Sequence, residues 1–107
     1  MHGFIYRLFP PRPTFAADMT PGEQAVLAAH VTYWTEHAHA GTVIAFGPVA
    51  DLERPHGIAV LLADNRLAAE RLRDNDPAVL SPHGFCTDIS PMLHLVTPNG
   101  SYAAAQV

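Results

Sequence analysis

His30 and Asp76 are the residues of this sequence best suited to moving a proton. Histidine is the side chain whose ordinary pKa places its charge change near neutral pH, and a carboxylate that binds the imidazole orients it. His30 lies inside a strongly patterned stretch, and Asp76 precedes Pro77 where a second patterned stretch ends. The two residues are therefore a candidate His-Asp pair for general acid/base catalysis.

Each member of this pair also has an ordinary structural interpretation. His30 shares a predicted helical face with Val26, Leu27 and Trp34, which is typical of a core or interface position. Asp76 precedes a proline, where the backbone is pushed out of the helical region and aspartate is favoured in turns. Neither interpretation excludes a catalytic role.

Four further residues are candidates for substrate binding. Arg7 lies on an apolar strand, where it either binds a substrate carboxylate through its guanidinium or extends at the rim of the fold. Trp34 follows the candidate histidine by one helical turn and is either a pocket wall or a core aromatic residue. Ser81 and His83 lie in the loop after the candidate aspartate, and their alternative is an exposed turn.

The seven histidines raise the possibility of a metal site. On a helix, however, His37 and His39 point roughly 200° apart and cannot bind one ion together. Cys86 is the single cysteine, which excludes an intrachain disulfide and a metal site built from cysteines of one chain. The sequence has no glycine-rich phosphate loop and no nucleophilic serine or cysteine motif. We therefore expect neither a metal nor a cofactor.

The composition predicts a single globular domain over residues 1–107. Hydrophobic residues make up 49% of the chain and charged residues 15%. The formal net charge is −4 and the six basic residues, all arginine, are not clustered, so we expect no nucleic-acid partner. No apolar run approaches the roughly 20 residues of a membrane span, and the N-terminus lacks a secretory signal pattern. We therefore expect a cytoplasmic protein without a membrane partner.

Hydrophobic patterning predicts four strands and two helices between about residues 3 and 96. The first helix has Thr20 as its N-cap, with a capping box, and ends near Ala40 before a glycine. The second helix has Asp64 as its N-cap and ends near Asp74. Residues 10–19 and 77–84 are predicted loops, and residues 97–107 an irregular tail. The predicted strands are Gly3–Phe9, Thr42–Val49, Gly57–Ala63 and Phe85–Val96.

This order of elements predicts an α+β fold of the ferredoxin-like βαββαβ type. Such a domain has a four-stranded antiparallel sheet with both helices on one face. In the first strand Phe4 and Tyr6 point to one face, while Ile5 and Phe9 point to the other. Because an exposed apolar patch of roughly several hundred Å² normally marks an interface, we expect a homodimer that packs sheet against sheet. The alternative is a monomer whose second face is covered by the proline-rich loop and the tail.

Four blocks of the sequence carry a resemblance: the run of residues 29–34 through 40–43, then residues 46–51, 57–60 and 75–79. In their order and spacing they resemble the YCII-related family. The resemblance implies a dimeric α+β barrel with a His-Asp pair facing a cleft, and the family's histidine and aspartate match His30 and Asp76. Some members of the family resemble dehydrochlorinating or lactone-processing enzymes of aromatic degradation, and most have no assigned reaction. The sequence departs from the family pattern at residues 10–19 and 80–83, which border the expected cleft.

Together these features favour an enzyme that acts on a small cyclic or aromatic carbonyl compound. His30 would take a proton from a carbon next to the carbonyl, and Asp76 would hold the tautomer and stabilise the imidazolium. Isomerisation or elimination, including dehydrochlorination, would follow. The alternative is a non-catalytic dimeric module that binds a small molecule or a partner protein. A third hypothesis is cofactor-independent oxygenation of a quinol.

Overall fold

Within residues 1–105, which the computed structural model describes, the chain forms six strands and four helices. None of the helices in this part of the chain is long and apolar enough to cross a membrane. The strands are β1 (His2–Phe9), β2 (Val43–Val49), β3 (His56–Ala63), β4 (Cys86–Pro91), β5 (His94–Thr97) and β6 (Gly100–Ala103). The helices are α1 (Phe15–Asp18), α2 (Pro21–Ala40), α3 (Arg66–Asp74) and α4 (Pro77–Leu80).

Strands β1 to β4 form one antiparallel sheet in the order β2-β3-β1-β4. The central strand β1 places Tyr6 opposite Ala59 of β3 and Ile89 of β4. The predicted α+β class and the predicted four-stranded antiparallel sheet are confirmed. Because β1 is paired on both sides, its side chains have fixed positions in the middle of the sheet.

The hydrophobic core lies between one face of this sheet and the helices. Phe4, Tyr6 and Leu8 alternate along β1 and therefore share that face. They belong to one buried cluster with Trp34 from α2 and Ala69 from α3. Both long helices thus cover the same face of the sheet, and Trp34 of α2 packs on Tyr6 with the ring centroids 5.2 Å apart.

Helix α2 begins and ends where the sequence predicts. The Thr20 hydroxyl accepts a hydrogen bond from the Glu23 amide at 3.2 Å, and the Glu23 carboxylate accepts one from the Thr20 amide at 2.9 Å. Pro21 occupies the first helical position, where its missing N–H costs no hydrogen bond. Gly41 ends the helix with a φ of 86°, a left-handed conformation that favours glycine. These caps fix the rotation and length of the helix that carries His30.

Two local predictions were wrong in detail. The N-cap of α3 is Asn65 rather than Asp64, since the Asn65 side chain accepts the hydrogen bond from the Ala68 amide at 2.9 Å. The predicted loops 10–19 and 77–84 each contain one short helix, α1 and α4. A single helical turn is too short to give a recognisable hydrophobic period.

The last predicted strand, Phe85–Val96, is divided into β4 and β5. Pro91 has no N–H to donate to the sheet, and the chain leaves the ladder directly after it. Strands β5 and β6 pair as an antiparallel hairpin. The prediction of an irregular tail is therefore wrong for residues 97–103. Leu95 packs so closely on Gly3 that a Cβ atom there would lie 2.8 Å from its Cδ2. Residues 106–107 of the predicted tail lie outside the described residues.

Candidate functional site

The fold brings His30 and Asp76 into direct contact. The Nδ1 atom of His30 lies 2.8 Å from Oδ2 and 2.9 Å from Oδ1 of Asp76. His30 is in the middle of α2, and Asp76 is the N-cap of α4, which packs against α2. The two residues that the sequence singles out therefore form a hydrogen-bonded pair.

The Asp-Pro dipeptide explains the position of the carboxylate. Asp76 has φ −62° and ψ 125°, the extended conformation expected of a residue before proline. Pro77 then occupies the first position of α4, and the Asp76 side chain accepts a hydrogen bond from the Ala78 amide at 2.9 Å. The capping geometry thus directs the carboxylate into the core, toward α2.

Three further donors surround the Asp76 carboxylate besides His30. The Tyr6 hydroxyl and the Trp34 indole Nε1 each donate to Oδ2 at 2.8 Å, and the Ala78 amide donates to Oδ1. The Asp76 side chain is 0% exposed, so these groups replace its hydration completely. A buried carboxylate with four donors has every acceptor position occupied.

The donors keep this carboxylate charged in spite of its burial. Burial by itself raises the pKa of the Asp76 carboxyl, but the hydrogen bonds from His30, Trp34 and the Ala78 amide outweigh it. The pKa of Asp76 therefore lies below its ordinary value. Burial, and then the charge of Asp76, raises the pKa of Tyr6, so its hydroxyl remains a neutral donor.

The contact with Asp76 determines which nitrogen of His30 is available for chemistry. An ionised carboxylate only accepts hydrogen bonds, so we assign the proton of the neutral imidazole to Nδ1. The other nitrogen, Nε2, then carries a lone pair. The His30 side chain is 12% exposed and lies in the wall of a cavity. This arrangement is suited to accepting a proton from a molecule bound in that cavity.

The cavity next to His30 has a volume of about 680 Å³. It lies between the sheet, helix α2, the loop of residues 10–19 and the connection between β2 and β3. Most of its wall is apolar, which is usual for small-molecule sites. The residues that line it from the sheet, α2 and the loop include Tyr6, Leu8, Phe46, Ala59, Leu27, His30, Val31, Trp34, Pro13, Phe15, Ala16 and Met19.

Arg12 anchors the loop of residues 10–19 to the start of α2. Its guanidinium donates to both carboxylate oxygens of Glu23 at 2.8 Å and to Asp18 at 2.8 Å. Glu23 is buried although it carries a charge, and the fork of Arg12 matches it with two parallel hydrogen bonds. The anchored loop places Phe15 and Met19 in the cavity wall.

The structure brings one further predicted site residue to the cavity and leaves three outside it. Trp34 lines the cavity and also binds Asp76. Arg7 lies on the opposite face of the sheet, because it alternates with the core residues of β1, and its Nε is 4.0 Å from Asp88. Among the described residues, Ser81 and His83 are not part of the cavity wall either.

Ser81 and His83 instead stabilise the turn after α4. The Ser81 hydroxyl donates to the Ala78 carbonyl at 2.7 Å and accepts from the His83 amide at 3.4 Å. These contacts are local and place both residues in a turn, as the alternative left open by the sequence has it, but Ser81 and His83 are half-buried rather than exposed.

Sequence reasoning missed Tyr6 and Arg12 as site residues. Tyr6 was predicted only as a core residue of the first strand, because its contact with Asp76 depends on the register between distant elements. Arg12 lies in a proline-rich segment that has no hydrophobic periodicity, so the sequence does not predict which groups its side chain contacts. The only available indication was Glu23, a charged residue at a position where the capping box requires it.

Comparison with models of protein families matches residues 4–92 to the YCII-related domain. The match covers most of the chain, includes both His30 and Asp76, and confirms the resemblance seen in the sequence. Comparison with curated proteins finds no match.

Proposed function

The chain belongs to the YCII-related family, and from this premise we propose an enzyme that uses His30 and Asp76 for general acid/base catalysis. The substrate is a small cyclic or aromatic carbonyl compound bound in the cavity. One observation supports this function above all: the imidazole that lines the cavity is bound through Nδ1 to a buried carboxylate at 2.8 Å. A histidine held in this way is oriented as a base.

The proposed reaction begins at a carbon next to the carbonyl group. Nε2 of His30 takes a proton from this carbon. The electron pair of the broken C–H bond forms a double bond to the carbonyl carbon, and the C=O π pair moves onto the oxygen, which gives an enolate. Asp76 stabilises the imidazolium that forms, without taking the proton itself. In an isomerisation, His30 returns the proton to a different carbon. In an elimination, the electron pair expels a leaving group such as chloride, and the proton passes to solvent.

Deuterium exchange tests this proposal without knowledge of the natural substrate. In D₂O, the wild-type protein should accelerate exchange of the α-protons of 2-tetralone or 2-indanone, followed by proton NMR. His30→Gln should lower the enzymatic rate by roughly 10²- to 10⁴-fold, the usual contribution of a positioned acid or base. His37→Gln is the matched control, because His37 lies on the same helix but binds Thr42 instead.

Two results would count against catalysis. If His30→Gln keeps more than half of the wild-type rate, His30 is not the base. If the wild-type protein binds these ketones without accelerating exchange, the non-catalytic binding module becomes the better interpretation. The apolar cavity favours that second function, since its wall provides binding whether or not a proton moves.

We further propose that the domain is ferredoxin-like and forms a homodimer through the sheet face opposite the helices, beside the β5–β6 hairpin, which packs on Gly3 of that face. The strand order β2-β3-β1-β4 and the packing of α2 and α3 on one face support the fold assignment. Ile5 and Val60 are paired, half-buried apolar residues on the other face, next to the exposed Ala45. A second copy on this face would remove these side chains from water.

A further inference from the structure

We propose that the cavity beside His30 selects an uncharged, apolar ring compound and discriminates against carboxylates. This inference names the substrate class of the same site and so rests on the proposed function for its catalytic meaning. Three properties of the cavity support it: the wall formed by residues 1–105 contains no arginine, two carboxylates lie next to the cavity, and its volume suits a small ring compound.

Within residues 1–105, the cavity wall contains no arginine, and the Nδ1 atoms of its two histidines already have partners, Asp76 for His30 and the Arg54 carbonyl for His56. The chain has six basic residues, all arginine, and none of them belongs to the wall formed by residues 1–105. Arg7 projects from the opposite face of the sheet, and Arg12 is already bound by Glu23 and Asp18. An anion in this cavity would therefore lose hydration without gaining an ion pair.

Two carboxylates make the surroundings of the cavity negative. Asp76 lies directly behind His30, at 2.8 Å from its Nδ1. Asp51 is in the cavity wall, and the amides of Arg54 and Glu53 donate to it at 3.1 Å and 2.9 Å. These amide hydrogen bonds lower the pKa of Asp51, which keeps it charged at neutral pH. Both charges would disfavour a bound carboxylate, the buried Asp76 more than the exposed Asp51.

Size and composition define the compound that remains. A volume of about 680 Å³ lies in the range of small-molecule sites. Phe15 contributes an aromatic wall and stands edge-to-face with Phe85 at 5.4 Å, while Leu27 and Met19 add flexible apolar surface. His30 presents the lone pair of Nε2 to an acidic C–H bond, and His56 and Asp51 are further polar residues of the wall. The cavity thus fits one or two fused rings with one neutral polar group.

Three probes of nearly equal shape test the charge preference. 2-Naphthamide is neutral, 2-naphthoate is an anion, and 2-naphthamidine is a cation at neutral pH. Binding is measured by the fluorescence of Trp34, the single tryptophan of the chain and a residue of the cavity wall, and repeated by calorimetry. We expect the amide to bind at least ~10-fold more tightly than the carboxylate, since the buried anion stays unpaired.

A pair of arginine variants tests whether the preference arises in this cavity. Val31 lines the cavity yet is 46% exposed, so Val31→Arg adds a cation there with little risk to folding. Thr32→Arg is the matched control on the same helix, at an exposed position outside the described wall. Val31→Arg should raise the affinity for 2-naphthoate about 10-fold, and Thr32→Arg should leave the preference unchanged.

Several outcomes would overturn the inference: carboxylate binding equal to or tighter than amide binding, tightest binding of the amidine, or no binding of any probe. These measurements do not require proton transfer, and the amide preference should persist in His30→Gln. A lost preference with intact deuterium exchange therefore refutes the substrate class alone. If the preference for the amide is intact but His30→Gln exchanges deuterium at the wild-type rate, only the catalytic proposal is refuted.

Discussion

Asp76 connects the chemistry of the site to the fold, because one buried carboxylate binds groups from three elements. Tyr6 comes from β1, His30 and Trp34 from α2, and the Ala78 amide from α4. A fully satisfied buried network of this kind holds its members rigidly. The orientation of the imidazole is therefore a property of the assembled core rather than of a flexible loop.

The Tyr6 hydroxyl should contribute more to stability than the hydroxyl of Tyr33. Tyr6 donates to a charged carboxylate at 2.8 Å, whereas Tyr33 donates to the neutral carbonyl of Leu72 at 2.7 Å. Tyr6→Phe should lower the free energy of unfolding by about 1.5–3 kcal/mol and Tyr33→Phe by about 0.5–1.5 kcal/mol. Urea unfolding of both variants measures the difference. Equal losses of unfolding free energy in the two variants would show that the hydrogen bond from Tyr6 to the charged Asp76 contributes no more than the bond from Tyr33 to a neutral carbonyl.

At the scale of residues, the sequence predicted the pair of His30 and Asp76 but not the other donors that surround the Asp76 carboxylate. His30 and Asp76 could be predicted from residue type, local context and the family resemblance. The donors Tyr6 and Trp34 could not be assigned to Asp76, because they are 70 and 42 residues away along the chain. Arg7 was a candidate for substrate binding, with the rim of the fold as the alternative, and the alternation of β1 places it on the face of the sheet opposite the cavity.

At the scale of elements, Glu23 joins the loop of residues 10–19 to helix α2. Hydrogen bonds from Arg12, and then from the Thr20 amide, lower the pKa of Glu23 from an ordinary 4.5 to about 2. The folded-state pKa is thus below the unfolded-state value. The contribution of Glu23 to stability is therefore fully present above about pH 4.5 and is lost as the pH falls through about 2.

Acid unfolding should report this contact. Glu23→Gln should be less stable than the wild-type protein at neutral pH, because Arg12 loses its charged partner. The difference should shrink as the pH falls from about 4.5 toward about 2, where Glu23 becomes protonated. Urea midpoints across this interval test the prediction, with exposed Glu36→Gln on the same helix as control. A constant difference at all pH values would contradict it.

The elements with clear local boundaries were predictable. Helix α2 has a capping box at one end and a left-handed glycine at the other, and the structure has it where the sequence predicts. The hairpin of β5 and β6 was not predictable, because each strand has only four residues and Leu95 gains its burial from contact with β1. Tertiary contact, rather than local pattern, determines that segment.

At the scale of the whole molecule, the proposed dimer depends on the sheet face opposite the helices, of which the β5–β6 hairpin covers the part at Gly3. Val60→Glu places a charge opposite Ile5 in the middle of this face and should convert a dimer to a monomer. Leu67→Glu is the control, since Leu67 is an exposed residue of α3, the helix packed on the other face. Light scattering after size exclusion measures the mass of each. A monomeric wild-type protein would refute the dimer.

The most direct test of the central claim is whether His30 and Asp76 act as one unit. The measurement is the deuterium exchange rate of 2-tetralone with His30→Gln, Asp76→Asn and the double variant, each checked for folding by circular dichroism. If Asp76 acts only through His30, the double variant should be no slower than His30→Gln alone, because members of one catalytic unit are not additive. Two losses that multiply in the double variant would show independent roles and contradict the pair.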